Sequence, residues 1–458
     1  MKTFLLSLAF PFVCVGSMIA QQVSPSLAEL RANVYTTDQP YIDLKMEKGV
    51  NKIDISFDAL TGDRGSCWID LNYNDVYDEG EEITYFDEYI AGYETESNLV
   101  RIYGKILQTN LAICKLTRLT FSDQHPMRDL NIGVNPALTT MDFSVLPDLE
   151  VLIANQMTVS EVVDLSKAKN IKKIDISDSA WKGIKLPEGA ELDFLYCDNA
   201  DLSELDLSPC ASIGKLLAEG NSLSKLDISK FSGLTCLKAS DNQLEGIDLS
   251  KNTSLRELYL AGNNLSSVDF SACKELIWLN LGANKLSTLE VKNCSQLEYL
   301  WIYDNQIKAP EMLELCSQLP DRNSTPEYNG CVWVVDTTNP NEANVCNVDA
   351  VKAAANLNWI TMDFQNGWDT DRIPYEGADA ASILSNEAAE VICLVSAGEL
   401  YVSMPENMAN KPMSIIAADG RVVWEGIAKG TQLQIALGDW NSGVYLLTIG
   451  KQFVKFAI

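Results

Sequence analysis

Apolar residues recur through the middle of the chain with a period of 21 residues. In the unit that begins at Leu255, apolar side chains occupy positions 1, 4, 6, 11, 14 and 16, and asparagine occupies position 9. The alternation around positions 4 and 6 predicts a short strand with one face inward. A unit this short cannot enclose a core, so the units must stack as a solenoid of parallel strands. Units on this spacing start at Ile171, Leu192, Ile213, Leu234, Leu255, Leu276 and Leu297.

Two looser units of 22 residues, beginning at Met127 and Leu149, extend the solenoid backwards. In five later units the asparagine falls on one line, where its amide can satisfy backbone groups in the turn after the strand. These residues are Asn221, Asn242, Asn263, Asn284 and Asn305. Position 15 carries a second row of residues, all of them acidic. Because like charges on neighbouring coils repel one another, we predict that these side chains face solvent. This acidic row consists of Asp206, Asp227, Asp248, Asp269 and Glu290.

The core L-x-x-L-x-L-x-x-N, followed by Leu-Asp-Leu-Ser as at 205–208, resembles the leucine-rich repeat family. It is similar to the short, internalin-like repeats of secreted bacterial surface proteins. The resemblance implies a mainly β chain with a leucine-rich-repeat solenoid. The expected organisation is a signal peptide (1–20), an N-terminal β region (21–98), leucine-rich repeats (99–317), a small α/β cap (318–366), a linker (367–384) and a C-terminal β-sandwich (385–458).

Positions 3, 5 and 7 of each unit point out from the strand of such a solenoid and form its concave face. Large aromatic residues collect there in the later units, although positions 4 and 6 already supply the core. Exposed aromatic clusters mark interaction surfaces, so we predict a ligand-binding face; burial under the following cap is the alternative. Trp and Tyr suit both sugar stacking and protein contacts. The predicted ligand-binding residues are Phe194, Tyr196, Tyr259, Trp278, Tyr299, Trp301 and Tyr303.

The N-terminal β region contains a loop with the oxygen spacing of calcium sites. Side-chain oxygens at loop positions 1, 3, 5, 9 and 12, with a carbonyl at position 7, can converge on one hard cation. Asp75 stands at position 6, where such loops place glycine, and no flanking helices are evident. An acidic hairpin loop is the alternative. The candidate calcium ligands are Asp70, Asn72, Asn74, the Val76 carbonyl, Asp78 and Glu81.

Beyond Ile307 the repeat pattern degrades, and a cap is needed because a terminal unit cannot leave its apolar edge open. Strands are predicted at 331–335 and 359–364. Between them, an alanine-rich segment predicts a helix over 349–357 with Asp349 as its N-cap.

Cysteine positions predict two kinds of environment. Cys210, Cys273 and Cys294 share position 19 and are expected to be buried thiols, with a Cys273–Cys294 bridge as the alternative. The candidates for disulfides in the cap are Cys316, Cys331 and Cys346.

Six strands with intervening turns are predicted beyond residue 385, with Asp419-Gly420 as a hairpin turn. The order of Asp419-Gly420-Arg421, Ser442-Gly443-Val444-Tyr445-Leu446 and a final strand with Lys455 resembles the C-terminal sorting domain of the type IX secretion system of Bacteroidetes. The resemblance implies export across the outer membrane, removal of the domain, and attachment to surface lipopolysaccharide or release. The residues expected to be read as the sorting signal are Gly443, Val444, Tyr445 and Lys455.

Lys2, an apolar stretch from Phe4 to Val15, and Ala20 have the layout of a secretory signal peptide. With 35 Lys and Arg against 63 Asp and Glu, the net charge of −28 disfavours nucleic acid and anionic lipid as partners. The single histidine, His125, lies in Gln124-His125-Pro126, which predicts a solvated turn residue and argues against histidine-based catalysis.

These observations predict a binding protein at the cell surface and not an enzyme. Adhesion to host or neighbouring cells, or biofilm cohesion, is the expected role, with the type IX secretion machinery as an export partner. A surface glycan-binding protein is the first alternative. A hydrolase with Asp70 and Asp78 as its catalytic pair is the second, although no nucleophile motif supports it.

Overall fold

The computed structural model describes the N-terminal region, the repeats and the cap over residues 37–87, 89–323, 329–365 and 373–378. In the C-terminal region it describes 392–396, 399–404, 411–417, 421–427, 429–430, 432–438, 440, 443–449 and 452–457. The predicted signal peptide, the Asp419-Gly420 turn and most of the predicted linker lie outside these residues.

The N-terminal region consists of short strands that pair antiparallel with one another, and three of these strands continue the long sheet of the repeats. Its strands are β1 (Tyr41–Met46), β2 (Lys52–Asp58), β3 (Trp68–Asp70), β4 (Ala91–Glu94), β5 (Leu99–Tyr103), β6 (Gln108–Asn110) and β7 (Leu116–Phe121). Four of them form a sheet in the order β3-β5-β1-β7. This sheet therefore draws its last strand from the chain as far along as Phe121, beyond the start of the predicted repeats.

The repeats form one long parallel sheet, as the 21-residue period predicts, apart from two strands, Val162–Asp164 and Gly183–Lys185, which pair with each other in a sheet of their own. Their strands are β8 (Asp129–Asn131), β9 (Val151–Ile153), β10 (Val162–Asp164), β11 (Lys173–Asp175), β12 (Gly183–Lys185), β13 (Glu191–Tyr196), β14 (Ser212–Leu217), β15 (Cys236–Lys238), β16 (Glu257–Tyr259), β17 (Trp278–Asn280) and β18 (Tyr299–Trp301). Equivalent residues pair along the sheet, so Leu258 lies beside Leu279, and Leu279 beside Leu300. The mainly β solenoid is confirmed.

The interior of each coil is filled by the positions that the pattern assigned to it. Leu255, Leu258, Leu260 and Leu265 are fully buried and join one continuous core with their counterparts in the other coils. Because a coil buries apolar surface only against its neighbours, stability accumulates along the stack.

The asparagine line is confirmed as a hydrogen-bonded ladder. Asn263 Oδ1 accepts from the Leu244 backbone N–H of the preceding coil at 2.9 Å, and its Nδ2 donates to the Ala239 and Leu260 carbonyls. The other four asparagines repeat this arrangement. Two asparagines outside the exact repeats extend the ladder. Asn135 Oδ1 accepts from the Leu116 N–H at its start, and Asn344 Oδ1 accepts from the Ile307 N–H at its end.

The acidic row is exposed, as predicted, and it has a local structural role. Asp206, Asp227, Asp248 and Asp269 each accept a hydrogen bond from the backbone N–H of the serine two residues later. These bonds to serine lower the pKa of the four aspartates. The carboxylates close the turns of the coils, a common use of aspartate.

The cap closes the C-terminal end with two short helices and two more parallel strands. Its elements are α1 (Ala309–Ser317), β19 (Gly330–Val335), α2 (Val348–Asn356), β20 (Trp359–Asp363) and β21 (Ile373–Pro374). Sequence reasoning missed α1. The predicted cap of α2 was also wrong: Asn347 accepts from the Ala350 N–H, while Asp349 lies in the first turn. β21, within the predicted linker, pairs antiparallel with β20.

The C-terminal module has its own apolar core, formed by residues such as Leu400, Ile415 and Leu447. Its strands are β22 (Ile392–Ser396), β23 (Glu399–Ser403), β24 (Pro412–Ala417), β25 (Val422–Ile427), β26 (Gln432–Ala436), β27 (Val444–Ile449) and β28 (Gln452–Ala457). They form sheets in the orders β22-β23-β26 and β25-β24-β27-β28. β22 was missed from sequence; the other six strands follow the predicted pattern.

His125 corrects a prediction. Its side chain is fully buried, with its ring 5.4 Å from that of Phe121, and neither ring nitrogen has a hydrogen-bond partner. Burial lowers its pKa to about 4. The residue is a neutral core side chain and not a solvated turn residue.

Candidate ligand-binding surface and calcium loop

The concave face presents two rows of side chains that the sheet register brings into line. At position 3 of successive coils, Glu257 pairs with Trp278, and Trp278 with Tyr299. At position 5, Tyr259 is followed by Asn280 and then by Trp301. The predicted aromatic residues of the last coils therefore lie side by side on adjacent strands.

At the C-terminal end of this face the aromatic rings stack on one another. Trp278 and Tyr299 have ring centroids 4.2 Å apart and planes inclined by 21°. Trp301 stacks on Trp333 at 4.4 Å and 10°. We call Trp278, Tyr299, Trp301 and Trp333 the aromatic ladder. The rings stack face to face, so each side chain is held in place by its neighbour. Because these side chains are already ordered, they lose little conformational entropy when a ligand binds.

Exposure divides the predicted residues into two groups. Tyr259, Trp278 and Tyr299 are half-buried and accessible, whereas Trp301 and Tyr303 each keep only 8% of their surface exposed. The expectation that all the late aromatics are open to partners is therefore wrong for these two. Trp301 is covered by stacking on Trp333 of the cap, and Tyr303 stacks on Phe364 at 3.6 Å.

The cap residues Trp333 and Phe364 were missed as part of this surface. Trp333 is in register with Trp301 across β18 and β19, but it lies 32 residues further along the chain because α1 interrupts the period. A signal was present nonetheless: Cys331–Val335 reads as a strand, and stacking it as one more coil places Trp333 at position 5.

The earlier part of the concave face combines aromatic rings with lysines. Phe194 lies between Lys173 and Lys215, whose Nζ atoms are 5.6 and 5.9 Å from its ring centroid. Lys238 Nζ lies 4.9 Å from the Tyr259 ring centroid. These cation–π contacts cover ring faces that would otherwise be open.

Tyr196 and Asp198 lie further along the same coil. Tyr196 is half-buried with its ring 5.7 Å from that of Phe194, and burial raises its pKa to about 12. Burial also raises the pKa of Asp198 to about 7. This part of the face therefore gains negative charge as the pH rises through neutrality.

The candidate calcium loop is compact and holds its acidic ends inside the protein. Asp70 is fully buried, and its carboxylate accepts from the backbone N–H groups of Asn74 and Asp75. Glu81 keeps 3% of its surface exposed and accepts from the N–H groups of Leu71 and Asp78. The side-chain amides of Asn72 and Asn74 donate to Asp78 Oδ2 at 2.8 and 3.0 Å.

Three features of this loop fit a cation. Asp75 has φ +60°, so it supplies the left-handed turn for which calcium loops use glycine. Asn72 Oδ1 is buried without a hydrogen-bond partner. Burial raises the pKa of Glu81, and the charges of Asp70 and Asp78 add to that rise. A bound cation would relieve this repulsion.

The loop is not an all-carboxylate site. Among the residues that the structure describes, no three His, Cys, Asp or Glu side chains are grouped so as to hold a metal ion. Binding would therefore depend on the amide oxygens of Asn72 and Asn74 and on the Val76 carbonyl. Since Asp70 is closed off from solvent, it is also poorly placed to act on a substrate, as a hydrolase would require.

The four predicted sorting residues lie at the last hairpin of the C-terminal module. Val444 begins β27 and is 41% exposed, whereas Tyr445 is buried. Lys455 is exposed on β28, opposite Leu446. Gly443 directly precedes the hairpin.

Over 78% of its length the chain is similar to the functional domain of InlJ from Listeria monocytogenes, covering 92% of that chain with 14% identity and a TM-score of 0.37. An internalin, InlF, from the same species is 18% identical over 53% of this chain and 75% of that chain, with a TM-score of 0.36. YopM from Yersinia enterocolitica is 15% identical over 59% of this chain and 68% of that chain, with a TM-score of 0.30.

Among curated proteins none matches the chain. Neither helix in the described ranges is long and apolar enough to span a membrane. Residues 254–276 match the family model for the Leucine Rich Repeat. This segment is the coil from which the 21-residue pattern is most clearly read, and the stack of such coils is a leucine-rich-repeat solenoid.

Proposed function

We propose that this chain is a cell-surface adhesin whose concave face binds a protein ligand. The observation that carries the proposal is the ring-on-ring stacking of the aromatic ladder. Half-exposed Trp278 and Tyr299 offer large, rigid contact area beside buried aromatic rings, which is the make-up of a protein hot spot.

The same stacking weighs against the glycan alternative. A sugar stacks on an open aromatic face. Trp301 and Trp333 use their faces on each other, and lysines lie over the rings of Phe194 and Tyr259. A protein side chain can instead pack against ring edges and polar tips. We therefore assign the ligand to the protein class.

Pretreatment of target cells tests this assignment. Labelled purified protein is applied to cultured epithelial cells and to bacterial cells, each treated beforehand with protease or with periodate. Loss of attachment after protease, with attachment retained after periodate, is the expected result. Loss after periodate alone would identify a glycan ligand and contradict the proposal.

We also propose that the C-terminal module is the address for export by the type IX machinery. Its separate apolar core supports folding as a unit, and Val444 and Lys455 are exposed at its final hairpin. Deleting residues 385–458 is expected to leave folded repeats in the periplasm. Surface display of the truncated protein on intact cells would refute this role.

A third proposal, independent of the other two, is that the loop from Asp70 to Glu81 binds calcium. The unpartnered Asn72 Oδ1 and the left-handed Asp75 support it. Millimolar calcium should raise the melting temperature, since a cation bound only by the folded state stabilises that state. Asp70→Ala should abolish the rise, whereas Asp54→Ala, at an exposed acid outside the loop, should retain it. Identical melting curves in calcium and in chelator would show that the loop is only an acidic hairpin.

A further inference from the structure

A cavity of about 220 Å³ opens at the N-terminal end of the concave face, where strands of the N-terminal region join the sheet of the repeats. Ile90, which is 57% exposed, forms an apolar wall from the segment before β4. Two rows of side chains, in register across β6, β8 and β9, form the floor. These rows are Gln108, Asp129 and Val151, and Asn110, Asn131 and Ile153.

One carboxylate in this cavity lacks a partner among the residues that the structure describes. Asp129 is half-buried, yet it makes neither a hydrogen bond nor an ion pair there. Two cations act on it from a distance, but both have other contacts. Arg128 pairs with Glu150 at 3.8 Å. Lys173 Nζ lies 5.6 Å from the centroid of the Phe194 ring.

The surroundings of Asp129 favour a cation. Burial, followed by the charge of Glu150, raises the pKa of Asp129. A positive group brought into the cavity would offset both effects. The carboxylate therefore provides a charge that a ligand can neutralise.

The amides of the cavity add hydrogen-bonding groups. Asn110 and Asn131 each use Oδ1 to accept, at 3.0 Å, from the backbone N–H two residues later. Their Nδ2 groups are left to donate, for instance to a main-chain carbonyl of a ligand. Gln108 makes no hydrogen bond within the described ranges, so its side-chain oxygen can accept from a cation beside Asp129.

We propose that this cavity takes a lysine side chain of the protein ligand. The apolar stem of the lysine would lie between Ile90, Val151 and Ile153, and its ammonium would donate to Asp129 and Gln108. Pockets for drug-sized ligands begin at roughly 300 Å³, so this smaller cavity suits one side chain. The inference rests on the proposed protein ligand and gives the concave face a second point of contact.

The distance between the two points of contact fits a folded partner. Asp129 on β8 and Trp278 on β17 are seven strand spacings apart in the sheet order, which is roughly 34 Å along the sheet. A small domain is about this wide. One ligand domain can therefore contact the aromatic ladder and place a lysine in the cavity, whereas a free amine cannot connect the two.

Ligand-observed NMR with the purified full chain tests the cavity without cells. The probe is Nα-acetyl-lysine methylamide, and its norleucine analogue, which lacks the ammonium, is the matched control. Saturation transfer to the side-chain protons of the lysine probe is expected with wild type and should be much weaker for norleucine. No transfer to the lysine probe would overturn the proposal.

Two substitutions of acids locate the binding. Asp129→Asn keeps the shape of the side chain but removes its charge, and should weaken binding of the lysine probe about tenfold. Asp148→Asn, at an exposed acid outside the cavity, should bind the probe as wild type does. Equal binding by wild type and Asp129→Asn would contradict the role of this carboxylate.

A variant that fills the cavity gives a second readout. Position 3 carries an aromatic ring in other coils, as at Phe194, so Val151→Phe should fold, melt near the wild-type temperature and exclude the probe. Val162→Phe, at a valine of β10 that is 43% exposed away from the cavity, should retain probe binding. Undiminished binding by folded Val151→Phe would place the probe elsewhere.

Attachment to target cells separates this inference from the proposed function. Asp129→Asn should attach about tenfold more weakly than wild type, and Trp278→Ala/Tyr299→Ala should still bind the lysine probe. Loss of probe binding with unchanged protease-sensitive attachment would make the cavity a site for free amines and overturn its role in protein recognition. Wild-type attachment that resists protease would instead refute the proposed protein ligand, whereas the probe decides whether the cavity binds lysine.

Discussion

The same coils carry two rows of side chains that behave in opposite ways. The asparagine ladder repeats one residue type at position 9 of five successive coils, where it is buried and makes equivalent hydrogen bonds. The concave rows change from coil to coil, from lysine and phenylalanine at one end to stacked tryptophan and tyrosine at the other. The constant row holds the coils together, and the variable rows are free to carry recognition.

The largest expected effect comes from breaking the constant row. Asn263→Ala removes the acceptor of the Leu244 N–H and the donor to the Ala239 and Leu260 carbonyls, all in buried positions. Each buried N–H or carbonyl left without a hydrogen-bond partner destabilises the folded state. We therefore expect the free energy of unfolding to fall by about 4 kcal/mol.

Asp269→Ala is the matched control for that change. It removes an exposed turn acceptor from the same coil and should leave the melting curve nearly unchanged. Equal destabilisation by the two substitutions, measured by chemical denaturation, would show that the ladder has no special role.

Within the aromatic ladder, burial should decide which residue serves stability. Trp301→Ala deletes a ring that is almost fully enclosed and should lower the free energy of unfolding by about 3 kcal/mol. Trp278→Ala deletes a half-buried ring on the neighbouring strand and should cost about 1 kcal/mol. A larger loss from Trp278→Ala in denaturant titrations would reverse this assignment.

A smaller effect depends on pH and arises outside both rows, at His125. Its pKa is about 4 in the folded state, whereas an unfolded histidine titrates near 6.5. Between these values the unfolded chain binds a proton that the folded chain does not, so stability is lost as the pH falls from about 6.5. The loss attributable to this residue should be roughly 2 kcal/mol at pH 5.

His125→Phe removes that titration while keeping an aromatic ring beside Phe121. The variant should lose less stability than wild type between pH 7 and pH 5. Superimposable pH profiles of the unfolding midpoint would rule out a contribution from a buried neutral histidine.

The coils were predictable from sequence because each buried position recurs, so a single segment such as 255–275 specifies the next. In the cap the two strands and the second helix were also predictable, but α1 was not, and because α1 shifts the register no repeat marks Trp333 as the successor of Trp301. His125 was misjudged because its neighbour proline indicates a turn, but says nothing about burial. The exposure of each aromatic side chain depends on stacking between strands that are distant in sequence. The 21-residue period does not contain this information.

Attachment of a Trp278→Ala/Tyr299→Ala variant tests the central claim most directly. Dissociation constants for protease-sensitive binding to target cells are measured beside melting curves, with Tyr89→Ala, an aromatic residue 60% exposed outside the ladder, as the matched control. We expect the double variant to bind about thirtyfold more weakly or worse while keeping its cooperative melt, and the control to bind normally. Unchanged attachment of a folded double variant would contradict a ligand site on the aromatic ladder.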